Sequence, residues 1–431
     1  MSFRRSVKKL IPAGLFTAIE PFGHLVEAVI FNVLNGFPGR RLKVIGVTGT
    51  NGKTSTAYLI HKMLQSAGYN TGLMTTVAWG AGDDIRQQVE HYTNVPVPEL
   101  MKRLKHLRAA KVDWVVMEIT SQGLAQHRTW GVPISVAVMT NVTHEHLDYH
   151  KTFERYRDAK RKLFQLANKN KKGLRTGVVN AEDPSAELFA GDVHTPLLYG
   201  VKKGDIRAVH VKLSPAGVSY EVEHEGKTYK IHCNLPGSFN VSNSLAAVSV
   251  GIRLGLSQQQ IEQGIAALAG VEGRMTRIDE GQDFDVIVDF AHTPDSFEKL
   301  FADLKPVVKG KLIVMFGSAG RRDEAKRAVQ GELAGKYADE VVLTEEDDRD
   351  IDGLGIMDQI AGGAERAGKV RDKDLFLVPD RTEAIRFAVG RAHKGDTVLL
   401  LGKGHEKTIE RADGEHAWDE IGAARAALKK R

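Results

Sequence analysis

The residues best suited by type and spacing to do chemistry begin with Val44-Ile45-Gly46-Val47-Thr48-Gly49-Thr50-Asn51-Gly52-Lys53-Thr54. An apolar run, a glycine-rich turn, Lys-Thr and then Ala57, Ile60, Met63 and Leu64 at helical spacing describe a strand, a phosphate loop and a helix. Glycines let successive backbone N–H groups close around phosphate oxygens. The helix N-terminus adds partial positive charge, Lys53 a full one, and the Thr54 hydroxyl can hold a Mg²⁺. The pattern departs from G-x-x-x-x-G-K-[ST] at one place, where Val47 stands for the first glycine.

Two further polar groups follow apolar runs. Asp113 to Thr120 reads as a buried strand ending in Glu118, a carboxylate that needs a cation or donor partner. Ser135 to Asn141 reads as another strand and leads into Thr143-His144-Glu145-His146-Leu147-Asp148-Tyr149-His150. Three imidazoles and two carboxylates in eight residues suit a divalent cation, although the spacing is not that of a His-Glu-x-x-His zinc site. The helix expected from Phe153 to Leu166 sets Lys160 beside Ala159, Leu163 and Phe164.

These groups need elements to hold them. At 431 residues the chain should form two or three domains, and 42% apolar residues with both charge signs scattered indicate a globular protein. A net charge of +6 without an aromatic-studded basic patch points to acidic small molecules and away from nucleic acid. The single cysteine, Cys233, excludes an internal disulfide and fits a reducing, cytoplasmic setting. Residues 1–40 start with a basic stretch, Ser2 to Lys9, then turn apolar but are broken by Pro12, Pro21 and glycines. A helical segment packed on the first domain is expected there, with peripheral membrane contact the alternative.

Val209 to Asn234 alternates around Glu225-Gly226-Lys227 as a β-hairpin would, and Ser257 with Gln260 reads as a capping box. Asn240 and Asn243 lie three apart at a helix start, as caps or as ligands. From Asp285 the pattern is strand–helix throughout: Asp285 to Phe290, Lys311 to Phe316, Glu340 to Leu343, Asp374 to Val378 and Thr397 to Leu401. Polar residues gather after several of these strands, in Asp289-Phe290-Ala291-His292-Thr293-Pro294, Arg321-Arg322-Asp323, Glu345 to Arg349 and Gly402-Lys403-Gly404-His405-Glu406. Ligands bind outside the carboxyl ends of such strands. The fold class is therefore α/β: a phosphate-loop domain with a mostly parallel sheet and a small β-hairpin region, then a Rossmann-like α/β domain.

The phosphate loop, Glu118-Ile119-Thr120-Ser121-Gln122-Gly123-Leu124, Thr140 to His150 and Asp158-Ala159-Lys160 together resemble the Mur ligase family, its MurE type most closely, over residues 41–431. The resemblance implies a 41–271 ATP-binding domain, a 272–431 domain for the incoming amino acid, and amide-bond formation in peptidoglycan synthesis through an acyl phosphate. By that resemblance Thr48, Gly49, Thr50, Asn51, Gly52, Lys53, Thr54, Ser55, Asn240, Asn243, Arg274 and Asp289 hold ATP. Two Mg²⁺ ions are implied at Thr54, Glu118, His146 and Lys160, the last as a carbamylated lysine, with Lys53, Glu118, His146 and Lys160 catalytic. Thr93, Thr120, Gln126 and Arg128 fall where the family touches its muramoyl-peptide acceptor, and His292, Arg322, Arg349, Gly402 and Glu406 at the remaining substrate positions.

Three departures matter. About forty residues precede the loop where the family carries a uridine-nucleotide domain, which leaves a lipid-linked or other acceptor open. Glu346-Asp347-Asp348-Arg349 replaces Asp-Asn-Pro-Arg, so lysine or ornithine stands beside diaminopimelate as the added residue. Gln122 and Glu145 replace His and Asp. A MurT-like ligase and an ATP-binding scaffold without catalysis are the alternative functions.

Overall fold

A computed structural model describes residues 13–88, 92–143, 145–214 and 217–431, without the side chains of residues 13–21 and 148. Ser2 to Lys9, His144 and the Asp148 side chain thus lie outside the described residues.

The first eleven strands are β1 (Val44–Thr48), β2 (Thr71–Met74), β3 (Ala78–Ala81), β4 (Asp84–Gln87), β5 (Trp114–Glu118), β6 (Ile134–Met139), β7 (Thr176–Asn180), β8 (Thr195–Gly200), β9 (Ile206–Ser214), β10 (Gly217–His224) and β11 (Lys227–Cys233). They form one sheet in the order β11-β10-β9-β8-β7-β6-β1-β5-β2-β3-β4. Pairing is parallel from β9 across to β2 and antiparallel at both margins. Strands β1, β5, β6 and β7 are buried along their whole length, which is why they read as continuous apolar runs rather than alternating ones. Alternate residues still face different cores. Ile45, Val47 and Val116 pack with the helix Lys53–Ser66 and with Phe239–Arg253, while Val44, Val115 and Met117 pack with Val97–Ala109 and Phe153–Lys169.

The expected hairpin is a three-stranded meander, β9 to β11, and it continues the main sheet through a short parallel pairing with β8. Val218, Tyr220, Val222, Tyr229 and Ile231 turn inward on one face, and Tyr220 meets the Ser244 hydroxyl at 2.9 Å. The capping box of Ser257 and Gln260 is present.

The second sheet contains β12 (Thr276–Ile278), β13 (Asp285–Asp289), β14 (Leu312–Phe316), β15 (Glu340–Leu343), β16 (Leu375–Leu377) and β17 (Thr397–Leu401), in the order β12-β13-β17-β14-β15-β16, parallel except at β12. A small hairpin, β18 (Thr408–Arg411) and β19 (Gly414–Ala417), follows. Arg381, fully buried, fixes the strand ends that matter: it pairs with both Glu420 oxygens and donates to the carbonyls of Glu345 and Leu401. A buried guanidinium with four hydrogen bonds fixed in this way is rigid, and removing Glu420 would leave an uncompensated charge.

The N-terminal segment is a single helix, Ala13–Leu34, that continues through Pro21 and Gly23, where sequence suggested interruption. Proline removes one backbone donor, and the remaining turns of this 22-residue helix carry it. Ala28 and Asn32 are buried against the body, with Asn32 Nδ2 donating to the Trp130 carbonyl at 3.1 Å. Among the described residues no helix is long and apolar enough to cross a membrane.

Candidate functional site

The carboxyl ends of β1, β5 and β6 face those of β13, β14 and β17 across a cleft of about 1070 Å³. Its floor is the phosphate loop. Gly52 has φ +82° and a Cβ there would lie 2.1 Å from Asn243 Oδ1; at Gly49, φ +154°, it would lie 1.8 Å from Thr140 Oγ1. Only glycine lets the backbone pass so close. Lys53 caps the loop by donating to the Thr50 carbonyl at 2.7 Å. Thr48 is buried behind it, while Thr50, Asn51, Gly52, Lys53, Thr54 and Ser55 line the cleft.

Glu118 is buried and lines the same cleft. Its Oε2 accepts from Thr54 Oγ1 at 3.0 Å, from Thr76 N at 3.1 Å and from Thr76 Oγ1 at 3.1 Å. A threonine hydroxyl beside a buried carboxylate is a hard-oxygen pair of the kind Mg²⁺ accepts, since that ion takes few protein ligands and keeps its waters. The donor set therefore fits one Mg²⁺.

His146 sits in the left-handed region, φ 55°, at the head of a one-turn helix, and the turn sends His150 inward to the Ser121 hydroxyl at 3.0 Å. Among the described residues, which leave out His144 and the Asp148 side chain, no three His, Cys, Asp or Glu side chains converge as a metal cage. Glu145 instead bridges the halves of the cleft, 3.7 Å from His146 Nε2 and 3.6 Å from His292 Nε2. Burial opposes its ionisation, but the His292 hydrogen bond and the charges of His146, His292 and Lys53 outweigh that and hold it below the usual carboxylate range.

Lys160 is buried, and its Nζ donates to the Gly49 carbonyl at 2.6 Å and lies 4.4 Å from the Tyr156 ring centroid. Burial, with Lys53 adding to it and Glu145 and Glu118 partly opposing, pushes its pKa well below that of an ordinary lysine. The amine is held toward its neutral, nucleophilic form.

From the second half, Arg274 reaches Thr54 Oγ1 at 3.4 Å and lies 4.6 Å from the Phe290 ring centroid. Asp295 accepts from Asn51 Nδ2 at 2.7 Å. Asp289 accepts from the N–H groups of Met275 and Ala291 at 2.7 and 2.8 Å; burial raises its pKa, with Arg274 opposing. Asn240 and Asn243 both line the cleft, joined at 2.9 Å, and neither caps its helix, whose N-cap is Ser238.

Thr93, Thr120 and Arg128 line the other end, but Gln126 does not; it is buried and its Oε1 has no partner among the described residues. Asn94, which sequence reasoning missed, organises this end. Its Oδ1 accepts from Thr120 N and Oγ1, its Nδ2 donates to the Glu118 carbonyl, and its own carbonyl accepts from Arg128. A polar Thr93-Asn94 pair ahead of Pro96 was the only signal, and any turn offers as much.

His292, Arg322 and Glu406 line the cleft, whereas Arg349 and Gly402 do not. Arg349 donates to Glu410 Oε2 at 2.7 Å and to the Gly320 carbonyl. Gly402 has φ +103°, and a Cβ there would meet Glu346 Oε2 at 2.6 Å. The fully buried Lys403 pairs with Glu406 at 2.6 Å and Asp347 at 2.8 Å. Asp347, one of the acids that suggested a more cationic amino acid, thus has its counter-ion within the protein.

Residues 47–251 match the Mur ligase middle domain and residues 273–404 the Mur ligase, glutamate ligase domain. The chain is 42% identical over 420 residues to a UDP-N-acetylmuramyl-tripeptide synthetase of Roseiflexus sp., covering 95% of this chain and 82% of that one. It is 37% identical over 417 residues to a UDP-N-acetylmuramoyl-L-alanyl-D-glutamate–2,6-diaminopimelate ligase of Geobacillus thermodenitrificans, covering 96% and 84%. A solved structure of a ligase with that same name superposes with a TM-score of 0.62 at 29% identity, covering 90% of this chain and 78% of that one.

Proposed function

This chain belongs to the Mur ligase family and is an ATP-dependent ligase of its MurE type, and we propose that it joins a diamino acid to the terminal carboxylate of a UDP-muramoyl-dipeptide in peptidoglycan synthesis, in the cytoplasm. The observation that carries this reading is the meeting in one cleft of Lys53, Thr54 and Glu118 from the first sheet with Arg274, Asp289 and His292 from the second. Residues 41–271 are assigned ATP and the acceptor, and residues 272–431 the incoming amino acid.

The acceptor carboxylate attacks the γ-phosphorus of ATP, giving an acyl phosphate and ADP; the amine then adds to the acyl carbon and phosphate leaves. Two anions must approach each other for the first step. The loop N–H groups, Lys53 and Arg274 are the protein's means of lowering that repulsion, and they are fixed before substrate arrives. Mg²⁺ held at Thr54 and Glu118 would screen phosphate charge. Asn240, Asn243 and Asp289 hold the nucleoside end, and Thr93, Thr120 and Arg128 hold the acceptor with its carboxylate toward the loop.

His146 and Lys160, the latter as a carbamate, would hold a second Mg²⁺: the Lys160 amine would add to CO₂ and give up one proton to leave the carbamate anion. The buried position and depressed basicity of Lys160 support this. The incoming amino acid is assigned to Arg322, His292 and Glu406. Diaminopimelate is favoured because the Geobacillus relative and the superposed structure are named as 2,6-diaminopimelate ligases, and because Asp347 is already paired with Lys403. Phosphate release with UDP-muramoyl-L-alanyl-D-glutamate, scanned over meso-diaminopimelate, lysine and ornithine, tests the assignment. Release that depends on both acceptor and amino acid is expected; ATP binding with no acceptor-dependent release for any amino acid would refute it.

A further inference from the structure

The helix Ala13–Leu34 has its polarity reversed for a protein surface. His24, Ala28 and Asn32, one turn apart, form its buried face. Its outward face carries Phe22 at 70% exposure, Val26 at 42%, Ile30 at 49%, Val33 at 58% and Leu34 at 75%. Positions i, i+4, i+8 and i+11 lie on one side of a helix, so this is a continuous apolar stripe. The one described acid of the helix, Glu27, is directed to His24 at 3.6 Å, away from the stripe.

Charge identifies what covers it. Residues 1–43 hold Arg4, Arg5, Lys8, Lys9, Arg40, Arg41 and Lys43 against only Glu20 and Glu27, a surplus of five positive charges out of six for the whole chain. Arg40, Arg41 and Lys43 are exposed just past the end of the stripe. A second copy of this chain would set that positive charge against itself, whereas an anionic bilayer offers both acyl chains and negative headgroups. We propose that the helix Ala13–Leu34 lies in the interface of an anionic membrane, Phe22, Val26, Ile30 and Val33 among the acyl chains and the flanking arginines and lysines at the headgroups.

The helix lies on the surface, since no described helix can span a bilayer. It packs beside Trp130 and the loop carrying Arg128, so binding would bring the acceptor end of the cleft toward the membrane. That last consequence rests on the assignment of Arg128 above; membrane binding itself does not.

The test is co-sedimentation of the full chain with vesicles of phosphatidylcholine, with and without phosphatidylglycerol. Binding only to the phosphatidylglycerol vesicles, weakening as salt rises, is expected. Val26→Glu with Ile30→Glu should weaken it at least about tenfold, and Arg40→Glu with Arg41→Glu about as much. The altered side chains point outward, so circular dichroism, melting temperature and turnover of soluble substrates should match wild type; Ile30→Ser serves as a milder variant should the double change disturb folding. Wild type that stays in solution with all vesicles, or a V26E/I30E variant that folds and binds equally well, would overturn the proposal. So would a wild-type dimer in solution that the same changes dissociate without any vesicle binding, which would make the stripe a contact between copies.

Discussion

Replacing Glu118 with glutamine separates its two roles. All three donors that reach this side chain, Thr54 Oγ1, Thr76 N and Thr76 Oγ1, converge on the single oxygen Oε2. Glutamine can satisfy them with its amide oxygen, which sets its NH₂ where Oε1 was. Three charge-assisted bonds become neutral ones, a loss of about 1 kcal/mol each. Relief from burying a carboxylate offsets much of that, so net stability should change by no more than about 2 kcal/mol and the melting temperature by no more than about 4 °C. Catalysis should respond far more. An NH₂ group offers donors where a cation needs a lone pair, and losing one such electrostatic contact costs about 3–4 kcal/mol of transition-state stabilisation, or roughly 100- to 1,000-fold in turnover. ADP release measured at saturating acceptor, with melting followed by intrinsic fluorescence, reads both quantities. A variant with intact melting and turnover within about threefold of wild type would refute Glu118 as a cation ligand. A collapse in melting temperature would make it a structural group instead.

Lys160→Met should lower turnover at least about 100-fold, and Lys160→Ala should regain activity with short carboxylic acids, as steady-state assays would show. Because the native amine is less basic than the unfolded one, the unfolded chain binds more protons between the two pKa values; wild-type stability should therefore rise with pH toward the unfolded lysine value relative to Lys160→Met, measured by urea melts at neutral and alkaline pH. Asp348 has its pKa raised to about 6, by burial first and then by Glu345, Glu346 and Asp347. Its native pKa exceeds the unfolded one, so its charging destabilises the fold progressively as pH rises from about 4 to 6. Asp348→Asn should consequently gain about 1–2 kcal/mol at pH 7.5 and nothing below about pH 4, checked by melting across that range. Gly52→Ala should abolish ATP binding measured by calorimetry while the protein still folds, since its Cβ strikes the Asn243 amide at the loop itself.

Much of this arrangement was legible in the residues. The strand ending in Glu118 is buried on both faces and the one ending in Asp289 at alternate positions, and in each an apolar run closing on a carboxylate marks both the strand and the point where chemistry begins. The phosphate loop and the capping box were readable because backbone geometry dictates residue type there. What stayed hidden depends on pairing between distant segments. Lys403 lies between two residues picked out in sequence, yet its burial by Asp347 and Glu406 needs two loops to meet. Asn94 acts by aligning Thr120, Glu118 and Arg128, a role that no local pattern encodes. A linear count of the histidines after β6 cannot see the turn at His146 that sends His150 to the Ser121 hydroxyl. The meander β9–β11 had recognisable strands, but its joining to the main sheet rests on two residue pairs with β8.

The proposed reaction activates a carboxylate as a mixed anhydride with phosphate. Its most direct measurement uses acceptor labelled with oxygen-18 in the reacting carboxylate and follows the released inorganic phosphate by phosphorus NMR. One labelled oxygen should appear in phosphate for each amide formed. Amide formation that leaves the phosphate unlabelled would contradict the account.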